Sequence, residues 1–140
     1  MSTPNETLAI RAFLLAFAEA LNSGDIPSIA SHYTHDGIFF PDHYSSINRK
    51  KMNSLPGHFF KNNTFRIQFH IKDTAIHGDF AFVESRATAI TTNHDGAAAL
   101  TKITRDLFTL RYTDGSWKIY RYVFHNAHES VQISASPAGI

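Results

Sequence analysis

Apolar residues recur at helical spacing near the N-terminus and at alternate positions through the second half of the chain. Leu8, Ile10, Phe13, Leu14, Phe17 and Leu21 form one stripe, the 3.6-residue period of a helix packed along one side. Thr3, Pro4 and Glu6 open it with a capping hydroxyl, a proline at the first helical position and a carboxylate three residues after the cap. Asn22-Ser23-Gly24 ends it, and Asp25 caps a short second helix predicted over 26–33, which stops at Thr34-His35-Asp36-Gly37. The stretch GIFFPDHYSS (37–46) begins as a buried strand, and Pro41, which has no N–H for a ladder, marks where it leaves the sheet. Residues 46–61 read as helical, interrupted by Pro56-Gly57.

From there the period changes to two. Phe65, Ile67, Phe69 and Ile71 alternate with Arg66, Gln68, His70 and Lys72, a strand with one face buried. Further strands are predicted over 80–92, 100–112 and 117–126, separated by Asn93-His94-Asp95-Gly96 and Thr113-Asp114-Gly115-Ser116. Helices followed by an antiparallel meander make the chain α+β. No repeat or linker interrupts it, so residues 1–130 read as a single domain and 131–140 as a loosely held tail.

Hairpin parity assigns faces. With Asp114-Gly115 at the centre of the last turn, Tyr112 lies opposite Trp117 and Asp106 opposite Val123, and opposite side chains share a face. One face then carries Thr104, Asp106, Phe108, Leu110, Trp117, Ile119, Arg121, Val123 and His125. An even loop at 93–98 adds Ala81, Val83, Ser85, Ala87 and Ala89, and the first helix is expected to pack across this face. The other face carries Phe82, Glu84, Arg86, Ile90, Arg105, Leu107, Thr109 and Arg111 with Lys118, Tyr120, Tyr122 and Phe124. Aromatics mixed with charges on an outer sheet face point to an interaction surface, and a homodimer through it is expected.

Composition narrows the function classes. The net charge of +1 and the single short basic run, Arg49-Lys50-Lys51, give no nucleic-acid footprint. Cysteine is absent, which removes disulfides, thiol nucleophiles and thiolate metal sites and suits a reducing cytoplasm. The first 21 residues have neither a basic leader nor an uninterrupted apolar span, so a soluble, cytoplasmic protein without a membrane segment is expected. Nine histidines form no His-x-x-x-His pair, and neither a Gly-x-Ser-x-Gly elbow nor a phosphate-cradling glycine loop occurs. No metal and no cofactor are expected.

The candidate chemistry is acid–base. Asp106 among Phe108, Leu110 and Val123 has to be paired, hydrogen-bonded or protonated. It reads either as a general base or neutral donor facing a cavity, or as half of a buried Asp106–Arg121 ion pair that fixes strand register. His125, Asp42 and His43 are candidate second proton carriers; Asp42 and His43 read equally as loop residues beyond Pro41. Phe13, Phe17, Tyr33, Phe40, Phe59, Ser85, Phe108 and Trp117 are expected to line the cavity.

AFAEALNSGDIPSIASHYTHDGIFFP (16–41) resembles the opening of SnoaL-like, or nuclear-transport-factor-2-like, domains, with its helix ending in Asn-x-Gly-Asp, short helix and strand after an Asp-Gly turn. GDFAFVESRATA (78–89) and TRDLFTLRYTDGSWKIYRYVFHN (104–126) are similar to the end of the SgcJ/EcaC branch. The resemblance implies a cone-shaped α+β barrel, with three N-terminal helices on a strongly curved, mostly antiparallel sheet, an enclosed pocket and dimerisation through the sheet. It also implies the ketosteroid-isomerase site as one possible use of that pocket. Of that site's parts, the tyrosine position holds Phe17, the base position falls at Pro41 beside Asp42, and only Asp106 meets the protonated acid, so steroid isomerisation by that mechanism is not expected. The branch's oxidoreductase label finds no nicotinamide or flavin signature here. Three functions are weighed: an acid–base isomerase, cyclase or dehydratase acting on a small hydrophobic molecule; a non-catalytic dimeric binder; and a structural protein whose cone is filled by side chains.

Overall fold

The computed structural model describes residues 4–55, 64–92 and 99–129. Helix α1 spans Pro4–Ser23 and turns at Gly24, whose φ of 69° is the left-handed conformation that closes a helix. Helix α2 is shorter than the apolar pattern predicts, Ile26–Ser31 rather than 26–33. Asp25 caps it by accepting the Ser28 N–H at 3.3 Å. Tyr33 belongs instead to strand β1, Tyr33–Phe40, which starts well before the predicted Gly37.

The predicted helix over 46–61 is corrected. Ile47–Asn48 forms a two-residue strand, β2, and Asn48 caps a five-residue helix α3, Arg49–Asn53, by accepting the Lys51 N–H at 2.8 Å. The Pro56-Gly57 break, the Asn93–Gly96 turn, the Thr3 cap and the tail 131–140 lie outside the described residues.

Strands β3 (Thr64–His77), β4 (Phe80–Thr92), β5 (Ala99–Thr113) and β6 (Ser116–Glu129) form an antiparallel meander. Asp114 and Gly115 both take positive φ, the two-residue hairpin turn that matches strand twist. Thr92 pairs with Ala99, so the 93–98 loop has the even length that keeps Ser85 and Asp106 on one face. β1 joins β6 in parallel, giving one six-stranded sheet in the order β2-β1-β6-β5-β4-β3. The cone is open, because edge strands β2 and β3 are not bonded to each other.

The core lies between α1 and the inner sheet face, where Ile10, Leu14 and Phe17 meet Val83, Phe108, Leu110 and Ile119. Asn22 fastens the end of α1 to β3: its side chain donates to the Ile67 carbonyl at 3.1 Å and accepts the Ile67 N–H at 2.6 Å.

The meander shifts register at three places, each time by one extra residue. Lys72 is extra on β3, while Tyr120 and Ala127 are extra on β6. The shift at Tyr120 overturns the parity assignment for the far half of β6. Leu110 pairs with Ile119 but Thr109 with Arg121, so Asp106 lies opposite Phe124 and not Val123. A one-residue slip exchanges faces. Tyr122 and Phe124 therefore turn inward, and Arg121, Val123 and His125 turn outward. On β4 and β5 the expected faces hold, with Ala81, Val83, Ser85, Ala87, Thr104, Asp106, Phe108 and Leu110 buried.

Between Tyr33 and Ile38, β1 departs from the β6 ladder and Gly37 comes close to it. A Cβ built on Gly37 would lie 2.7 Å from the Ile119 carbonyl oxygen and 3.0 Å from the Tyr33 Cβ. Both obstacles are close to the backbone and cannot swing away. Gly37→Ala is therefore expected to cost about 1–3 kcal/mol through overpacking, seen in a thermal melt as a Tm lower by roughly 3–10 °C. An unchanged melt would mean that β1 can shift off β6 freely.

Candidate active site

Asp106 occupies the middle of β5 with 3% of its surface exposed. The cross-strand row that contains it runs Ile71, Ser85, Asp106, Phe124; Thr104 lies two residues back on β5, and Tyr122 on β6 lies diagonally within reach. Ser85 Oγ donates to Asp106 Oδ2 at 3.0 Å, and Thr104 Oγ1 donates to Oδ1 at 2.9 Å. The Tyr122 hydroxyl approaches Oδ1 at 3.5 Å, the weakest of the three contacts.

Two physical effects oppose each other at this carboxyl group. Burial raises its proton affinity and is the larger. The hydroxyls of Thr104, Ser85 and Tyr122 and the field of His125 pull it back. The net shift is upward from the ordinary aspartate value. The Tyr122 phenol is also pushed well up, first by burial and then by the Asp106 charge and Tyr33.

Tyr33 completes a polar line. It is 2% exposed, and burial raises its phenol strongly. Its hydroxyl donates to no residue among those described, while its backbone carbonyl accepts from Arg49 Nη1 at 3.0 Å. Tyr33 and Tyr122 both pack edge-on against Phe17, and Tyr33 adds to the upward push on the Tyr122 phenol.

Aromatic rings enclose that region. Phe108 stacks on Tyr122 with centroids 4.2 Å apart, and Phe39 stacks on the other flank at 5.0 Å. Phe17 from α1 meets Tyr33, Phe69, Phe108 and Tyr122 with centroids 5.9 to 6.2 Å away. His32 packs on Phe13 and Phe17, and its Nδ1 lies 2.7 Å from the Ser28 carbonyl oxygen. A carboxyl group and two phenols are thus buried together among the ring faces.

The predicted site residues separate into those that reach this region and those that do not. Phe17, Tyr33, Ser85 and Phe108 are at it, and Phe13 is partly buried beside His32. Arg121 is not the partner of Asp106. Its Nη1 donates to the carbonyls of Asp36 at 3.0 Å and Tyr120 at 2.8 Å, and its guanidinium lies 4.0 Å from the Tyr120 ring centroid. The expected Asp106–Arg121 ion pair is therefore not formed. His125 is exposed on the outer face and acts on Asp106 only through its field.

Asp42 and His43 are loop residues. Asp42 Oδ2 accepts the Asn126 N–H at 2.9 Å, tying the loop to β6, and His43 is 80% exposed with Nε2 3.5 Å from Asp42 Oδ1. Phe40 pairs with Val123 towards the outside, whereas its neighbour Phe39 faces the rings. Phe59 is outside the described residues. Trp117 belongs to a different place, a cleft of about 410 Å³ at the hairpin end, lined also by Asn5, Glu6, Ala9, Gly78, Asp79 and Tyr112. Among the described residues no cluster of histidine and carboxylate side chains fits a metal ion, and no helix is long and apolar enough to cross a membrane.

Thr104, Tyr122, Phe124, Phe39 and Phe69 are the site residues that sequence reasoning left out. Thr104 and Phe69 sat on the predicted buried faces, so their pattern gave a signal. Tyr122 and Phe124 were hidden by the Tyr120 shift.

Comparison with known proteins places this geometry in a family. Solved structures share the fold over nearly the whole chain. A ketosteroid isomerase-like protein from Erwinia carotovora atroseptica SCRI1043 is 26% identical, with a TM-score of 0.76, covering 90% of this chain and 99% of that one. A scytalone-dehydratase-like protein from Novosphingobium aromaticivorans DSM 12444 is 15% identical, with a TM-score of 0.76, covering 94% and 90%. A type 2 hexachlorocyclohexane dehydrochlorinase is 11% identical, with a TM-score of 0.72, covering 97% and 96%. None of the curated proteins matches the chain. The sequence profile of the SnoaL-like domain matches residues 10–128, and the chain belongs to that family.

Proposed function

We propose that the chain binds a small, flat, largely apolar molecule on the inner face of its sheet and exchanges a proton with it. The reaction class is isomerisation, cyclisation or dehydration. The observation that carries this reading is a 3% exposed carboxyl group, raised in proton affinity, whose Oδ1 is approached by the Tyr122 hydroxyl. Burial makes Asp106 a stronger base when ionised and keeps it a usable acid nearer neutrality. Tyr122 is the route from Asp106 to a ligand oxygen, and Tyr33 is a second hydroxyl for that oxygen. The names of the dehydratase-like, dehydrochlorinase and isomerase-like structures fit proton transfer of this kind.

A non-catalytic binder is the second reading. It is favoured by the hydroxyls of Ser85, Thr104 and Tyr122, which give the carboxyl group partners without any ligand. In either case we place a homodimer contact on the outer sheet face, where Phe82, Leu107 and Val123 are 42%, 51% and 42% exposed.

β-Tetralone, a flat ketone with acidic α-protons, separates the two readings. In heavy water, the enzyme reading expects protein-dependent exchange of those protons by NMR. Asp106→Asn should slow it by about 10²-fold or more, and Tyr122→Phe should slow it too. Line broadening of the ketone without exchange supports the binder. Exchange unchanged in Asp106→Asn would remove Asp106 from the chemistry.

Stability against pH tests the carboxyl group independently. Its folded-state proton affinity is raised above the ordinary value of 3.8. Between that value and the raised one, the folded chain holds a proton that the unfolded chain has released. Stability contributed by Asp106 therefore falls as pH rises through that window, and is constant above it. Asp106→Asn cannot ionise and escapes the loss. In urea unfolding across a pH series, the stability of the variant relative to the natural chain should grow through the window and then level off. A difference independent of pH would show that folding does not raise this group's proton affinity.

A further inference from the structure

The outer sheet face carries basic and acidic side chains in two adjacent rows. His70, Arg86, Arg105 and His125 are paired directly across β3, β4, β5 and β6, and all are exposed. The neighbouring row is Asp73, Glu84, Leu107 and Val123, acidic at one end and apolar at the other. Like charges directly opposite each other across strands repel. Arg86 and Arg105 stand in that relation, and no ion pair joins either of them to a carboxylate among the described residues. Asp73 opposite Glu84 repeats the conflict with the sign reversed. Each row lacks what the row beside it holds.

We infer that this face is self-complementary and that a second copy of the chain covers it, with Glu84 of each subunit meeting the partner's Arg86. The inference rests on the dimer reading given above and specifies its pairing. A two-fold axis running across the strands between the two rows lays each row over the other in the facing sheet. Glu84 then lies over the partner's Arg86 and Asp73 over the partner's His70, each contact made twice by symmetry. Leu107 falls under the partner's Arg105, whose methylene stem covers apolar surface while its guanidinium stays at the rim. An axis running along the strands between β4 and β5 would instead set Arg86 on the partner's Arg105, which charge repulsion forbids.

Mixing charge-reversed variants tests the pairing. Wild-type chain should be a dimer by native mass spectrometry and sedimentation at micromolar concentration. Glu84→Arg makes both contacts cationic and Arg86→Glu makes both acidic, so each alone should shift to monomer. Mixed in equal amounts, the two should form a heterodimer, because each contact then joins an arginine of one variant to a glutamate of the other. Circular dichroism of each variant establishes that it is folded. If a reversal prevents folding, Glu84→Gln and Arg86→Gln replace it and should each weaken the dimer by about tenfold. A wild-type dimer that tolerates both reversals, or variants that fail to form a heterodimer, would overturn the Glu84–Arg86 pairing and leave a sheet dimer of another register. A wild-type chain that stays monomeric would overturn the sheet dimer itself.

Discussion

The extra residue at Tyr120 controls what reaches the buried carboxyl group. Up to Ile119, β6 follows the hairpin turn, with Trp117 and Ile119 inward. Beyond Tyr120 the alternation restarts one step later, so Tyr122 lies opposite Phe108 and diagonal to Asp106. Without the shift, Arg121 and Val123 would face the interior, and the hydroxyl contact at Oδ1 would be replaced by a guanidinium or a methyl group. A salt bridge would then hold Asp106 ionised and low in proton affinity. The shift substitutes a neutral phenol for a cation, so burial dominates the carboxyl group's proton affinity.

That substitution leaves the carboxyl group without a charged partner among the described residues. A carboxylate in an apolar setting costs several kcal/mol unless its oxygens are satisfied. Ser85 from the neighbouring strand β4 and Thr104 from two residues earlier on β5 supply the satisfaction without adding charge. The phenols of Tyr122 and Tyr33 are themselves raised, so they remain protonated donors at any ordinary pH. Phe17 closes over the same rings from α1, and the Asn22 clamp on Ile67 fixes where that helix lies. Rigidity at the end of α1 and polarity in the middle of β5 therefore serve one region.

Much of this was legible from residue pattern. The stripe from Ile10 to Phe17, the Asp25 cap and the Asp114-Gly115 turn each rest on local chemistry, and local chemistry survives folding. The inward direction of Asp106 followed from alternation on β5, a strand whose burial stays in phase from Thr104 to Leu110. The shift on β6 follows from no local rule, because Tyr120-Arg121-Tyr122-Val123-Phe124-His125 alternates equally well in either phase. Energetics could have chosen between the phases. One buries Arg121 and His125 and exposes two aromatics; the other buries Tyr122 and Phe124 and leaves the arginine and histidine in water. The second burial is cheaper by the hydrophobic gain and by the avoided desolvation of a guanidinium. The helix predicted over 46–61 failed for a different reason: its first residues are consistent with helix, but Ile47 and Asn48 pair with β1, and tertiary pairing overrides propensity.

The same shift shapes the opposite side of the sheet. Turning Tyr122 inward necessarily turns Val123 and His125 outward, where Val123 extends the apolar end of one row and His125 completes the row of His70, Arg86 and Arg105. Arg121, also turned out, is held by the Asp36 carbonyl and the Tyr120 ring, so β1 is tied to β6 just where Gly37 comes close to the Ile119 carbonyl. The company of the buried carboxyl group and the order of the rows on the outer face are therefore consequences of one register. A change that restored simple alternation on β6, such as loss of the extra residue, would replace Tyr122 at the carboxyl group and remove His125 from the outer row together.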